Sequence, residues 1–300
     1  MKTHILPKLP ISALAGIAFA SSASGAILVY EGFQYSDVGD PLDAVTTVDT
    51  DAIGLSGSWS DAGDDDGNEM FLKSGSLSFS DISTNGNHIG FSSNSDSDIM
   101  VRDMSSTGFS GSIYFSFLFQ KLQNNFGADH EGFAVMNGDL PAARWDNNNG
   151  GAVGRHGFAV AAVNNSNLNA ILYDGTTGSR IVSTSTIPIT VGSSGNINLI
   201  VGEISFNTGT GGADVFKLYN ATDDGSLDAG DLTLIDTIEA DMDESLLTTL
   251  NLTRQVNINY DEVRIATTLD EALGLGVVPE PSTTALLGLG GLALILRRRK

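Results

Sequence analysis

Ile113-Tyr114-Phe115-Ser116-Phe117-Leu118-Phe119-Gln120 is the stretch that decides the fold class. Ile113, Phe115, Phe117 and Phe119 recur with a period of two, which places them on one face of a strand packed against a core and does not fit a helix. Outward from this stretch, similar short runs occur at 132–136, 157–163, 170–173, 197–204, 215–219, 232–238 and 256–265. Turn formers separate them, as in Asn147-Asn148-Asn149-Gly150-Gly151 and Gly209-Thr210-Gly211-Gly212. No long amphipathic helix stands out, and 269–275 is expected to supply a turn or two of helix. Many short strands without alternating helices predict an all-β sandwich.

The two ends differ from this middle. Lys2 and Lys8 precede an apolar stretch from Ile11 to Ala20 and then the small residues Ser21 to Ala26, which is the layout of a secretory signal peptide over 1–26, cut after Gly25 or Ala26. At the other end stand Pro279-Glu280-Pro281-Ser282, a fourteen-residue apolar run from Thr283 to Leu296, and Arg297-Arg298-Arg299-Lys300. As a helix that run spans roughly 21 Å, short of the ~30 Å hydrocarbon core. The terminal cations are expected on the cytoplasmic side, with all that precedes Pro279 outside. Between 27 and 278 lie nine basic and 35 acidic residues, a net charge of −26. Such a surface repels nucleic acid and anionic lipid. The chain has no cysteine, so disulfides, thiol nucleophiles and cysteine-based metal sites are excluded, and the core alone must hold the fold.

The ordered combination of Pro279-Glu280-Pro281, short apolar helix and terminal arginines resembles the PEP-CTERM sorting signal of Gram-negative bacteria that make exopolysaccharide. The resemblance covers 279–300, with 274–278 as linker, and implies cutting near Pro281 by an exosortase after transient anchoring in the inner membrane. Tyr30-Glu31-Gly32-Phe33-Gln34-Tyr35, Gly57-Ser58-Trp59 and Asp261-Glu262-Val263-Arg264-Ile265-Ala266-Thr267-Thr268 resemble the opening and closing strands of concanavalin A-like (LamG-like) jelly-roll ectodomains. That second likeness spans 27–273. It implies a jelly-roll β-sandwich whose first and last strands are neighbours, with Glu31 partnering Arg264.

Concanavalin A-like folds include laminarinase-type glucanases, and Glu239-Ala240-Asp241-Met242-Asp243-Glu244 matches their E-x-D-x-x-E spacing. By that resemblance Glu239 is the nucleophile and Glu244 the acid/base, brought to one strand face by a bulge. Three features argue against catalysis. The segment lies late in the domain, Ala240 and Asp243 suit a solvated loop, and Trp59 and Trp145 are the only tryptophans available as sugar platforms. The twelve residues Asn220 to Asp231 resemble an EF-hand or dockerin calcium loop, with oxygens from Asn220, Thr222, Asp224, Asp228 and Asp231 and a glycine at the sixth position. The same residues also read as an acidic hairpin loop. Asp61, Asp64, Asp65, Asp66 and Asn68 could gather a second hard cation or form a solvated loop. Arg144, Trp145, Asp146 and Asn148 place an aromatic ring beside donors and amides, as sugar recognition requires. His88, His130 and His156 are widely separated, and the nucleophile and phosphate-loop motifs are missing.

These readings converge on an exported, non-enzymatic protein of the cell surface or extracellular matrix, structural or adhesive and associated with exopolysaccharide. The alternative is a lectin-like carbohydrate-binding module, and a glucanase ranks below both. Exosortase is the expected transient partner, a glycan the expected lasting one, calcium the one cofactor to consider, and the membrane is met only through the C-terminal helix before processing.

Overall fold

The computed structural model describes residues 25–47, 49, 51–62, 70–82, 84–91, 98–105, 108–122, 132–138, 154–163, 167–189, 196–223, 225–254 and 257–275. In chain order the strands are β1 (Ile27–Glu31), β2 (Leu55–Asp61), β3 (Met70–Ser74), β4 (Asn87–Phe91), β5 (Asp98–Met104), β6 (Ser112–Lys121), β7 (Gly132–Met136), β8 (Gly157–Ala162), β9 (Asn167–Asp174), β10 (Ser179–Val182), β11 (Ile187–Pro188), β12 (Ile197–Ser205), β13 (Asp214–Ala221), β14 (Leu232–Ala240), β15 (Thr249–Arg254) and β16 (Ile258–Ala266). One helical turn, α1 (Leu269–Ala272), follows them, and no helix among the described residues is long and apolar enough to cross a membrane.

The strands form two antiparallel sheets of eight. The first runs β14-β13-β12-β6-β16-β4-β3, with β1 also on β16; the second runs β10-β9-β8-β7-β15-β5-β2, with β11 on β9. This is a jelly-roll sandwich. The first and last strands are neighbours as expected, with Tyr30 opposite Arg264.

The inward row of β6 builds the core between the sheets. Phe115 stacks on Phe133 and Phe158 at ring-centroid distances of 5.2 and 5.3 Å, and Phe117 stacks on Phe133 at 5.0 Å. On β12 the residue facing Phe115 is Gly202, and a Cβ there would run into the Phe115 ring. Gly202→Ala is therefore expected to cost about 1–3 kcal/mol through overpacking, read as a lower urea midpoint with an unchanged m-value. An unchanged midpoint would mean that the ring moves aside freely.

Candidate functional site

The structure distributes the acidic candidates rather than gathering them. β14 ends at Ala240, so Glu239 lies on that strand while Glu244 opens a separate 3-10 turn, Glu244–Leu246. Glu239 accepts from the Thr210 amide at 3.1 Å, and Glu244 accepts from the Asn207 side chain at 3.4 Å. The expected single strand with a bulge is thus replaced by a strand end and a turn: Asp243 caps the turn, whereas Ala240, expected in a solvated loop, is buried as the last residue of β14. In the calcium-loop candidate, Asn220 is laddered into β13 opposite Thr233. The Asp228 and Asp231 carboxylates turn back on backbone amides, accepting from Gly230 and Asp228 respectively, and cap the 3-10 turn Ala229–Asp231. Among the described residues no group of three or more acidic or histidine side chains is arranged to hold a metal. Asp61 ends β2, whereas Asp64, Asp65, Asp66, Asn68, Asp224, His130, Arg144, Trp145, Asp146, Asn148, Pro279, Glu280 and Pro281 lie outside the described residues, as do 1–24.

A minority of the charged residues is instead buried, most of them in three clusters. Alternate residues of a strand face opposite ways. Tyr30 therefore shares a face with Arg264, while Glu31 points into the core. Glu31 accepts hydrogen bonds from the Phe33 amide (2.9 Å), Tyr35 Oη (3.0 Å), Trp59 Nε1 (3.3 Å) and the Arg102 guanidinium. Arg102 also donates to Tyr35 Oη at 2.7 Å and to the Gly57 carbonyl at 3.2 Å. The expected Glu31–Arg264 pair is thus corrected to Glu31–Arg102, because strand parity puts Arg264 on the opposite side of the sheet. Burial, opposed by Arg102 and reinforced by Asp49, pushes the Glu31 carboxyl up to about 7. A cavity of about 70 Å³ beside it is lined by residues including Tyr35, Asp49, Trp59 and Arg102. That is room for water, far below the roughly 300–1,000 Å³ of small-molecule sites.

Two further clusters lock the other seams. Asp261 accepts from the Leu77 and Glu262 amides at 2.8 Å each, and burial together with the Glu262 charge pushes it up to about 9. Glu262 sits in a bulge of β16 at φ +52°, an uncommon conformation for a residue with a side chain. It takes hydrogen bonds from Tyr30 Oη (3.1 Å), the Asn85 amide (3.0 Å) and Arg264, whose guanidinium lies 5.3 Å from the Tyr30 ring centroid. In the third cluster Asp98 accepts from the Met70 amide at 2.8 Å and lies 3.9 Å from Arg254. Burial and the neighbouring Asp61 push Asp98 up to about 7.

The outward faces of the two sheets differ. On the second sheet Ala134, Ala159 and Ala161 pack with Ile99, Val101, Met136, Ile171 and Tyr173 in a buried apolar cluster, beside the buried Asn169, Thr249 and Asn251. On the first sheet, Leu118, Leu199, Val201 and Ala221 are covered by an apolar cluster containing Leu77, Phe79, Leu227 and Leu273. Beyond Ser116, whose hydroxyl donates to the Ala272 carbonyl of α1, the face opens into the row Tyr114, Glu203, Lys217 and Thr237. The alternation of β6 and β13 already puts Tyr114, Lys217 and Tyr219 opposite to the core row, and that was the signal available for them in the sequence.

This architecture is that of the lectin-type, concanavalin A-like jelly rolls. The structure is similar to the globular domain of T. cruzi calreticulin (12% identity, covering 92% of this chain and 100% of that one, TM-score 0.50). It is also similar to domain 4 of AbnA, a GH43 extracellular arabinanase from Geobacillus stearothermophilus solved with arabinotriose (13%, 85% and 100%, TM-score 0.46), and to lectin I-B4 from Griffonia simplicifolia (13%, 71% and 100%, TM-score 0.39). Residues 277–300 match the PEP-CTERM protein-sorting motif. Comparison with curated proteins finds no match. The chain is thus an exported protein with a jelly-roll ectodomain and a PEP-CTERM sorting motif that directs it through transient membrane anchoring and exosortase processing.

Proposed function

We propose that this protein is a non-enzymatic component of the cell surface or extracellular matrix of a Gram-negative bacterium, in which the sandwich acts as a structural or adhesive module bound to exopolysaccharide. The observation that carries this reading is where the carboxylates go. Glu31, Asp98, Asp261 and Glu262 are locked inside by arginines and backbone amides, and Glu239 and Glu244 sit on separate elements, so these acids serve the fold. The solved relative from AbnA, whose bound ligand is arabinotriose, adds a carbohydrate association at the level of fold. Calcium enters only if Asp224 recruits Asp228 and Asp231 away from their amide hydrogen bonds.

The test is fractionation in an exosortase-positive, exopolysaccharide-producing host. The protein is expected on the surface or in the medium, sedimenting with the polymer and lacking 283–300, whereas Pro279→Ala/Pro281→Ala stays in the inner membrane. A surface form whose intact mass includes 283–300 contradicts the sorting. Release of reducing sugar that Glu239→Gln abolishes contradicts the non-enzymatic role.

A further inference from the structure

The open half of the first sheet's outward face is built differently from the rest of that sheet. Tyr114 on β6 stands directly opposite Glu203 on β12, and Glu203 stands opposite Lys217 on β13. Glu203 is saturated: Lys217 Nζ donates to its two oxygens at 3.1 and 3.2 Å, Tyr219 Oη at 3.1 Å and Ser205 Oγ at 3.1 Å. The Tyr219 bond runs diagonally, because Tyr219 itself faces Val201, two residues along β12 from Glu203. A ring whose hydroxyl reaches diagonally across the sheet lies along the surface instead of standing off it. Its inner side packs on the apolar cluster that covers the other half of this face. Tyr219 is thus held by its hydroxyl and by packing of its ring, and is half-buried.

Tyr114 is half-buried as well, and its hydroxyl makes no hydrogen bond among the described residues. The two tyrosines are two strands and two residues apart, about 12 Å between Cα atoms at ordinary strand spacing. Between them the charge is balanced, Lys217 against Glu203. Around them the domain carries −26. Two amphipathic rings, one of them held in place, an unbonded hydroxyl and a locally neutral floor suit a ligand with both C–H faces and hydroxyls. The surrounding negative field disfavours polyanions.

We infer that Tyr114 and Tyr219, the latter held by the Glu203–Lys217 pair, form a platform on the first sheet that binds a neutral polysaccharide chain lengthwise. The inference rests on the adhesive reading above and gives it a surface. Affinity electrophoresis of the full ectodomain through gels containing laminarin, hydroxyethylcellulose, galactomannan or alginate tests both. Retardation is expected in at least one neutral polymer and not in alginate. Tyr114→Ala is expected to weaken it about tenfold, or ~1.4 kcal/mol, and Tyr114→Ala/Tyr219→Ala to abolish it.

Tyr114→Ala removes no hydrogen bond and keeps the Glu203 network, so it is the variant to rely on if the double variant fails to fold. Tetranitromethane mapping of the wild-type protein is the second measurement, with nitration of Tyr114 expected to fall in the presence of the retarding polymer. Retardation that survives Tyr114→Ala, with Tyr114 nitrated equally in free and bound protein, overturns the platform and leaves the adhesive reading standing. Passage of the wild type through every neutral gel unretarded overturns both.

Discussion

Arg102→Met is expected to destabilise the sandwich by about 2–3 kcal/mol at pH 8, because the buried Glu31 carboxyl loses its cation and must hold a proton that the unfolded chain has shed. Glu31 is wholly inside and Arg102 nearly so, and the methionine reproduces the aliphatic stem without the charge. The remaining donors, Phe33, Tyr35 and Trp59, are neutral and replace only part of the stabilisation. For a domain of this size the loss amounts to a melting point lower by roughly six degrees. The cost should shrink at pH 5, where Glu31 already carries its proton in wild type and variant alike. Arg102→Met/Glu31→Gln should recover a large part of it at pH 8. Urea unfolding at the two pH values measures all three effects. A loss under about 1 kcal/mol at pH 8 would mean that water reaches the cluster and that it contributes little.

The second large effect is an inverted pH dependence. Glu31 has its carboxyl pushed from 4.5 up to about 7, so between those values the folded protein holds a proton that the unfolded chain has lost. Stability is then greatest below pH 4.5 and falls as pH rises through 7, by about 3 kcal/mol for this group alone. Asp98, raised to about 7, and Asp261, raised to about 9, act in the same direction. So does repulsion within a domain of net charge −26. Asp37, Asp174, Asp236 and Asp243 are lowered by hydrogen bonds from neighbouring amides and hydroxyls, so what they contribute is lost only as pH falls below the ordinary aspartate range. The profile should peak near pH 4 to 5 and decline toward pH 8, with Glu31→Gln flattening the decline. Stability that rises from pH 5 to pH 8 would contradict the placement of these protons.

Much of the sandwich was legible because its strands alternate. The strand around Phe115 and those at 132–136, 157–163 and 197–204 fall within a residue or so of the observed elements, since a buried face with period two leaves little freedom of register. β5 was not legible. Its Asp98, Arg102 and Asp103 look like surface charge, yet two of the three are buried, each matched by a partner distant in sequence. Arg102 and Glu31 are 71 residues apart, and nothing local announces the pairing. Parity excludes Glu31–Arg264 only with the Tyr30–Arg264 register in hand, and the sequence does not carry that register. The platform was half legible: Tyr114 lies within the decisive strand, but its value depends on Tyr219 and Glu203, which only sheet order brings beside it.

The pairing of β1 with β16 also bears on timing. The Ala26 amide reaches the Thr267 hydroxyl across 241 residues of chain. β16 is the central partner of β6, so neither the N-terminal strand nor the long phenylalanine strand can complete its ladder until the last strand has been synthesised. Topologies dominated by such distant pairings fold slowly. An export route that threads an extended chain gains from that delay. The segment leaving the cell first stays incomplete and threadable, and closure is expected only once residue 266 has crossed, when the sorting tail behind it can hold the chain at the membrane while the last strand slots in.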